Sequence, residues 1–282
     1  MKRVKIIIFC VLIGFLYCSC NVQKDTNASY TIRLSEKDAL ISLAGNNSTN
    51  ENFVSAFDEA VLLQKQFPNK SFLTLFYNVW KTEKYHYIKL KSIFDIYYGE
   101  DIDDSYPNSA AWDIIKLKIE DNVFNTTNII RSRLYRLGYR EMSGKLSKRG
   151  FDYRVTVKNV KDRKVLEQML TAKGELSICG KDRECLSGIH VTDARVKDNE
   201  LHLSFNREGT DCLSKITENN HNSQVVITFD NQILSTPTIS KKITGGLFYF
   251  SIPDKTKEDI EILAIMIKSG VLPIQCEILD SK

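Results

Sequence analysis

Polar and apolar residues alternate in several short stretches of this sequence, and strict alternation predicts β-strands that bury one face. In 245–252, "GGLFYFSI", alternation predicts one face with Leu247, Tyr249 and Ser251 and the other with Phe248, Phe250 and Ile252. Gly245 and Gly246 permit the tight turn that precedes this strand. Other predicted strands lie at 30–34, 152–160, 174–178, 189–206 and 223–239.

A different pattern, with apolar residues three and four positions apart, predicts amphipathic helices between these strands. Ser35 followed by Asp38 is a helix start signal, and Gly138 and Gly270 are helix end signals. The aromatic residues of 70–98 indicate either the core of a helical subdomain, which we favour, or a groove for a partner. The expected helices cover 50–67, 70–94, 122–137, 162–174, 207–220 and 254–273.

The order of these elements predicts an α+β fold. Strands and helices joined by short links, together with the early strand near Thr31, indicate a ferredoxin-like sheet of the split βαβ type. The strand at 174–178 is expected in that sheet. The helix at 122–137 carries Arg131, Arg133 and Arg136, with Arg140 just beyond it. We expect these arginines on a solvated flank rather than in a phosphate site.

The first twenty residues have the pattern of an export signal. Basic residues are followed by an apolar stretch at 6–17 that is short for a membrane span, and then by Cys18-Ser19-Cys20. This resembles a bacterial lipoprotein signal, in which a lipid such as palmitate anchors Cys20 to the membrane. The alternatives are a plain signal peptide and a short anchor helix.

Charge and motifs exclude several classes of function. Removal of the signal takes away three basic residues, leaving 36 Lys and Arg against 35 Asp and Glu, so no strongly basic surface for nucleic acid is expected. No motif for a nucleophile, a phosphate loop, a dinucleotide or a metal site is present. We therefore expect no catalytic residues, no metal and no cofactor.

Four cysteines lie beyond the signal region. An exported protein meets an oxidising compartment, so Cys179 and Cys185 in "CGKDREC" could close a small loop by a disulfide. The alternative is that all four cysteines are unpaired thiols, which then include Cys212 and Cys276.

The C-terminal third carries a resemblance to a known family. "VVITFDNQILSTPTISKKITGG" at 225–246 and "AIMIKSGVLP" at 264–273 resemble the first large periplasmic domain of SecD, the accessory subunit of the Sec export machine. The early helical segment is similar to the form found in the Bacteroides group. After the signal, no long apolar run follows, so a stand-alone lipoprotein without proton-driven activity is expected.

The resemblance implies a base with a helical insertion and a second, small α+β head subdomain. It implies a site for polypeptide near Pro237, Gly245, Gly246, Leu247, Phe248 and Tyr249. The expected segments are a signal peptide at 1–19, a tether at 20–29, an N-terminal strand and helical subdomain at 30–120, the ferredoxin-like base at 121–185, and the head with a closing strand at 186–282.

Two functions follow from this resemblance. The first is a lipid-anchored module of the cell envelope that binds unfolded or translocating polypeptide, or subunits of the Sec translocon. The second is a surface or outer-membrane lipoprotein that keeps the fold as a scaffold or for another ligand. "QKD" at 23–25 favours the outer membrane over the inner one.

Overall fold

A computed structural model describes residues 27–94, 107–148 and 150–282 of the chain. The predicted signal peptide, Cys20 and most of the predicted tether lie outside these residues, as does most of the acidic connector after Phe94. The strands are β1 (Ala28–Leu34), β2 (Met142–Leu146), β3 (Asp152–Val157), β4 (Leu176–Cys179), β5 (Cys185–Ser187), β6 (Val191–Lys197), β7 (Glu200–Phe205), β8 (Val226–Phe229), β9 (Gln232–Ser235), β10 (Leu247–Ser251) and β11 (Cys276–Ser281). The α-helices are α1 (Glu36–Ala44), α2 (Glu51–Gln66), α3 (Phe72–Trp80), α4 (Leu90–Ile93), α5 (Asn108–Arg136), α6 (Arg163–Thr171), α7 (Arg207–Asn219) and α8 (Lys257–Ser269).

Four strands form an antiparallel sheet in the order β11-β1-β3-β2, which we call the base sheet. Its strands are connected through α5 and α6, so order and connection are those of a ferredoxin-like fold. Alternate residues of β1, among them Tyr30, Ile32 and Leu34, are fully buried, as strand periodicity requires. The α+β class and the ferredoxin-like base are confirmed.

The helical insertion of α1 to α4 is held by an aromatic core. Phe53 packs against Phe76 and Phe94 with ring centroids 5.7 and 5.8 Å apart, and all three rings are buried. Tilted and edge-on rings at these distances are favourable. Ser35 caps α1 by accepting a hydrogen bond from the amide of Asp38, as predicted. The helix expected over 70–94 is instead two helices, because the chain leaves α3 at Trp80 and turns before α4.

Two further sheets, with α7 and α8, form the part of the molecule that we call the head. One has the order β5-β4-β8-β9 and the other the order β10-β7-β6. Asp230 and Asn231 form the turn between β8 and β9 with φ angles of 48° and 64°. Both residue types tolerate the left-handed region, so the hairpin forms without glycine.

Two strands belong to different sheets from those expected. The strand at 174–178 was expected in the base, but as β4 it pairs with β5 and β8 of the head. The closing strand was expected with the head, but as β11 it pairs with β1 of the base sheet. The head is therefore inserted between the second helix and the fourth strand of the ferredoxin-like unit, and the chain returns to the base after it.

Arg133 joins the base to the head and is fully buried, so its expected place on a solvated flank is wrong. Its guanidinium donates hydrogen bonds to the carbonyls of Met169, Ala172 and Lys173 at the end of α6 and to that of Gly270 at the end of α8. Met169 lies in the last turn of α6, and Ala172, Lys173 and Gly270 follow the helix ends, so their carbonyls have no partner within a helix. The carbonyl of Lys173 also accepts a hydrogen bond from the amide of Leu272. The C-terminal end of a helix attracts a cation. One side chain thus caps two helices.

Burial destabilises the charged form of the Arg133 guanidinium, and its pKa is therefore lowered. Burial lowers the pKa of Arg133 to about 10, and the negative charge of Asp230 opposes that shift. Asp230 is itself fixed, because its carboxylate accepts hydrogen bonds from the amides of Gly174 and Glu175, each at 2.8 Å. The positive charge of the guanidinium is therefore stabilised by the partial negative charges of carbonyl groups, in the place that a carboxylate usually takes.

Replacement of Arg133 by Met should lower the free energy of unfolding by about 3 kcal/mol, because buried carbonyls lose their donors while the aliphatic stem stays. Urea denaturation of the full chain measures this. The matched control is Arg131→Met on the exposed side of α5, expected to change stability by less than about 0.5 kcal/mol. Equal stability of the two variants would contradict the capping role of Arg133.

Candidate functional site

The strand β10 lies at one edge of the sheet β10-β7-β6, next to β7. Its residues pair with β7 in one unbroken register, from Leu247 opposite Ser204 to Ser251 opposite Glu200. Within the described part of the chain, no strand pairs with its other side. The predicted site residues Leu247, Phe248 and Tyr249 therefore lie on an open sheet edge.

The direction of the backbone groups of β10 follows from one hydrogen bond. The amide of Phe205 donates to the carbonyl of Gly246 at 3.0 Å, so Gly246 forms a hydrogen-bonded pair with Phe205. Such pairs alternate along an antiparallel ladder, so Phe248 and Phe250 direct their N–H and C=O groups to β7. Leu247, Tyr249 and Ser251 direct theirs away from the sheet.

The side chains of β10 alternate as the sequence predicted. Phe248 and Phe250 are buried in the head, whereas Leu247 and Tyr249 are each 62% exposed. The ring of Tyr249 stacks on His202 of β7, with centroids 5.2 Å apart. The outer face beside the open edge is thus apolar and aromatic, and the stacked imidazole restrains the tyrosine.

Most other edge strands carry features that discourage pairing with another chain. Charged side chains occur on β2, β6 and β11, register shifts disturb the pairs β1–β11, β6–β7 and β8–β9, and β5 has only three residues. Charges and bulges are the usual means of blocking a sheet edge. Among the described strands, β10 combines five regular pairs with an uncharged sequence.

The glycine pair before β10 has two different environments. Gly246 has a φ of +66°, and a Cβ atom there would lie 2.3 Å from the hydroxyl oxygen of Thr210 on α7. Gly245 has no atom within 4 Å of such a position and no positive φ. Gly246 is therefore the residue that lets the chain pass α7 and enter the edge strand.

Pro237, the remaining predicted site residue, lies on the continuation of β9. Its carbonyl accepts a hydrogen bond from the amide of Val225, so the segment after β9 is held against the segment before β8. A direct hydrogen bond joins β9 to β10, because the hydroxyl of Ser235 donates to the carbonyl of Ser251 at 2.9 Å. Sequence analysis missed Ser235, because its bond to Ser251 joins segments that are 16 residues apart in the chain.

The cysteine pair forms a link across the hairpin of β4 and β5. The sulfur atoms of Cys179 and Cys185 are 2.07 Å apart, as in a disulfide, and the two residues are opposite each other in the ladder. The hairpin tip is also held by Asn220, which is buried and accepts a hydrogen bond from the amide of Lys181. Cys276 is a buried thiol, and burial raises its pKa to about 12, which leaves it unreactive near neutral pH.

A polar cluster on the helical insertion has the residue types of a catalytic centre. Ser55 lies 2.7 Å from the hydroxyl of Tyr85 and 3.2 Å from the ammonium of Lys84, and a serine beside a lysine can form a nucleophilic pair. Here Glu59 binds both Lys84 and Tyr85. Its hydrogen bond raises the pKa of Lys84, so the ammonium stays protonated and cannot accept the serine proton.

Two adjoining hollows along α5 and α8, of about 500 and 460 Å³, share Arg136, Arg140 and Ile265. The larger hollow is lined by charges of both signs, so it favours no single class of ligand. Across the described ranges, no group of acidic residues, histidines and cysteines is placed to hold a metal ion. Within those same ranges, no helix has the length and apolar content needed to cross a bilayer.

Comparison with known proteins agrees with the class of fold described above. Residues 163–274 match the family model of the SecDF P1 head subdomain. A crystal structure of SecDF in the super-membrane-facing form superposes with a TM-score of 0.50 at 18% identity, covering 57% of this chain and 28% of that one. At that identity the likeness shows the fold alone.

Two sequence relatives are SecD subunits of the protein translocase. The chain is 29% identical over 175 residues to protein translocase subunit SecD of Acidaminococcus fermentans, covering 58% of this chain and 41% of the relative. It is 31% identical over 178 residues to the SecD subunit of Leptotrichia buccalis, covering 58% and 43%. The chain thus resembles the SecD P1 region and spans about two fifths of the length of these relatives.

Replacement of Gly246 by Ala should lower the free energy of unfolding by about 1–2 kcal/mol, because the left-handed backbone and the contact with Thr210 are both unfavourable for a Cβ atom. The control Gly245→Ala should cost less than about 0.5 kcal/mol. Thermal or urea unfolding compares the two. A Gly246→Ala variant as stable as the Gly245→Ala variant would show that β10 does not depend on this turn.

Proposed function

We propose that this protein is a lipid-anchored module of the cell envelope that binds extended polypeptide along the outer edge of β10 and assists protein export. The observation that carries the proposal is an open edge strand with a regular register and no charge. The resemblance to SecD supplies the context, since the relatives are named as translocase subunits.

Addition of a strand to β10 suits a partner of any sequence. An extended chain pairs through main-chain groups, and those of Leu247 and Tyr249 point outward to receive it. The exposed side chains of the same two residues then add apolar contacts to the side chains of the bound segment. The affinity therefore comes mainly from groups that every unfolded polypeptide has.

A stable sheet supports the binding edge. Behind β10, Phe248 and Phe250 anchor the strand in the core of the head, and Tyr249 is restrained by its stack on His202. A rigid strand loses little conformational freedom when the partner pairs with it, so ordering is paid for mainly by the incoming chain. The conformational entropy that the incoming chain loses keeps the binding weak and reversible.

The proposal also includes a lipid anchor on Cys20 and a second class of partner. Lipid on Cys20 would hold the domain at a membrane of the envelope, and Sec translocon subunits are a second class of partner. A position on the outer membrane or cell surface would leave unfolded polypeptide as the ligand and would remove contact with the translocon, which lies in the inner membrane.

Residue-resolved hydrogen exchange of the full chain, with and without a reduced and alkylated unfolded protein, tests binding at this edge. The outward amides of Leu247 and Tyr249 should gain protection. The amides of Phe248 and Phe250, already bonded to β7, should change little and serve as internal controls. Absence of this alternation, or no protection at all, would contradict strand addition.

A charge on the edge should weaken binding. Leu247→Lys places an ammonium group beside the incoming strand, and we expect at least a tenfold loss of affinity for the unfolded protein. The matched control is Ile233→Lys, at a similarly exposed position on β9. Fluorescence anisotropy of a labelled client measures both, and equal affinities of the two variants would contradict the assignment to β10.

Anchoring is tested separately by Cys20→Ala. We expect the wild-type chain in the membrane fraction, carrying a lipid that mass spectrometry detects, and the variant without lipid and released from that fraction. Separation of inner and outer membranes, with protease treatment of intact cells, then gives the location. A wild-type chain with no lipid would contradict the anchor, whatever the binding assays give.

A further inference from the structure

The outer edge of β10 is blocked at one point by a side chain. Ser235 ends β9, in a different sheet, and its hydroxyl donates to the carbonyl of Ser251 at 2.9 Å. That carbonyl belongs to the outward-directed set, together with the groups of Leu247 and Tyr249. The bond therefore takes one of the two lone pairs of this carbonyl and places the Ser235 side chain in front of an acceptor that an incoming strand would need.

Ser235 is held in this position by its own ladder. It is half-buried and lies opposite Ile227 of β8. Ser251 is fixed as well, because its hydroxyl donates to the carboxylate of Glu200 at 3.1 Å, which leaves its carbonyl as the group that meets Ser235. Both partners of this hydrogen bond are held in place by other contacts, so the bond is a fixed connection between the edges of two sheets.

From this geometry we infer that Ser235 limits the length and fixes the register of the polypeptide segment that β10 accepts. The inference deepens the proposed function and rests on it. A bound strand pairs with the outward groups of Leu247 and Tyr249 and stops before the carbonyl of Ser251. Since outward pairs recur at every second residue, the paired segment is about four residues long.

The side chains beside this short edge indicate the chemistry of the segment. Leu247 and Tyr249 present an apolar and an aromatic surface, and the strand itself carries no charge that would select a charged ligand. Cross-strand pairs with aromatic residues favour β-branched and aromatic partners. The ligand class is therefore a short, extended, apolar stretch of an unfolded polypeptide, rich in β-branched or aromatic residues.

The test uses the full chain and blocked peptides of four, six and eight residues with alternating Val and Thr. For the wild type, affinity should stop rising beyond four residues, because the next acceptor is occupied. Ser235→Ala frees the carbonyl of Ser251, so affinity for the six- and eight-residue peptides should rise about two- to tenfold. Affinity for the four-residue peptide should not change.

Ser235→Thr is the matched control, because it keeps the hydroxyl and should behave as the wild type. The carbonyl ¹³C resonance of Ser251 gives a second readout in the free protein: it should shift in the Ala variant and not in the Thr variant. Urea unfolding confirms that both variants are folded. If the Ala variant does not fold, Ser235→Cys replaces it, because cysteine is similar in size to serine and its thiol is only a weak donor.

The outcomes separate this inference from the proposed function. If the peptides bind and Leu247→Lys weakens them, but Ser235→Ala leaves every peptide unchanged, the role of Ser235 is overturned and the binding edge stands. If wild-type affinity keeps rising to eight residues, the length limit is overturned. If no peptide binds to any variant, both the inference and the proposed function are overturned.

Discussion

The contact on which the rest of the structure depends is the capping of two helices by Arg133. The guanidinium binds the carbonyl ends of α6, in the base, and of α8, in the head, from a buried position on α5. A buried cation without a carboxylate partner is unfavourable unless fixed dipoles compensate it, and two helix C-termini supply them. The base and the head therefore meet where the C-terminal ends of α6 and α8 come together. This contact also fixes α8 against α5, and the other side of α8 packs on the sheet of β6, β7 and β10.

This support explains how the head can present an open edge without losing order. The buried faces of β7 and β10 are filled by Leu201, Leu203, Phe248 and Phe250, and α8 packs beneath the same sheet. The strand is thus stabilised through its side chains, and its outward main-chain groups are left for another chain. Most edge strands elsewhere in the described residues carry charges or register shifts, so the exposed apolar edge of β10 is a distinct feature of this surface.

Sequence patterns predicted the two faces of β10, because the alternation of buried and exposed residues depends only on neighbours along the chain. Alternation in 245–252 predicted which residues of β10 are buried and which are exposed. The pairing of β11 with β1 and the bond from Ser235 to Ser251 depend on contacts between distant segments, which no local pattern contains. Arg133 had a signal that was not used: it lies three residues after Ile130 and four before Leu137, on the apolar face of α5.

The central claim is that an unfolded polypeptide lies against the outer edge of β10, and site-specific photo-crosslinking in intact cells tests it most directly. A photoreactive phenylalanine analogue replaces Tyr249, and in a second strain it replaces the similarly exposed Tyr87 of the helical insertion. We predict crosslinks to many exported polypeptides from position 249, lost when export is blocked, and few from position 87. Equal crosslinking from both positions, or a single folded partner at position 249, would contradict the account.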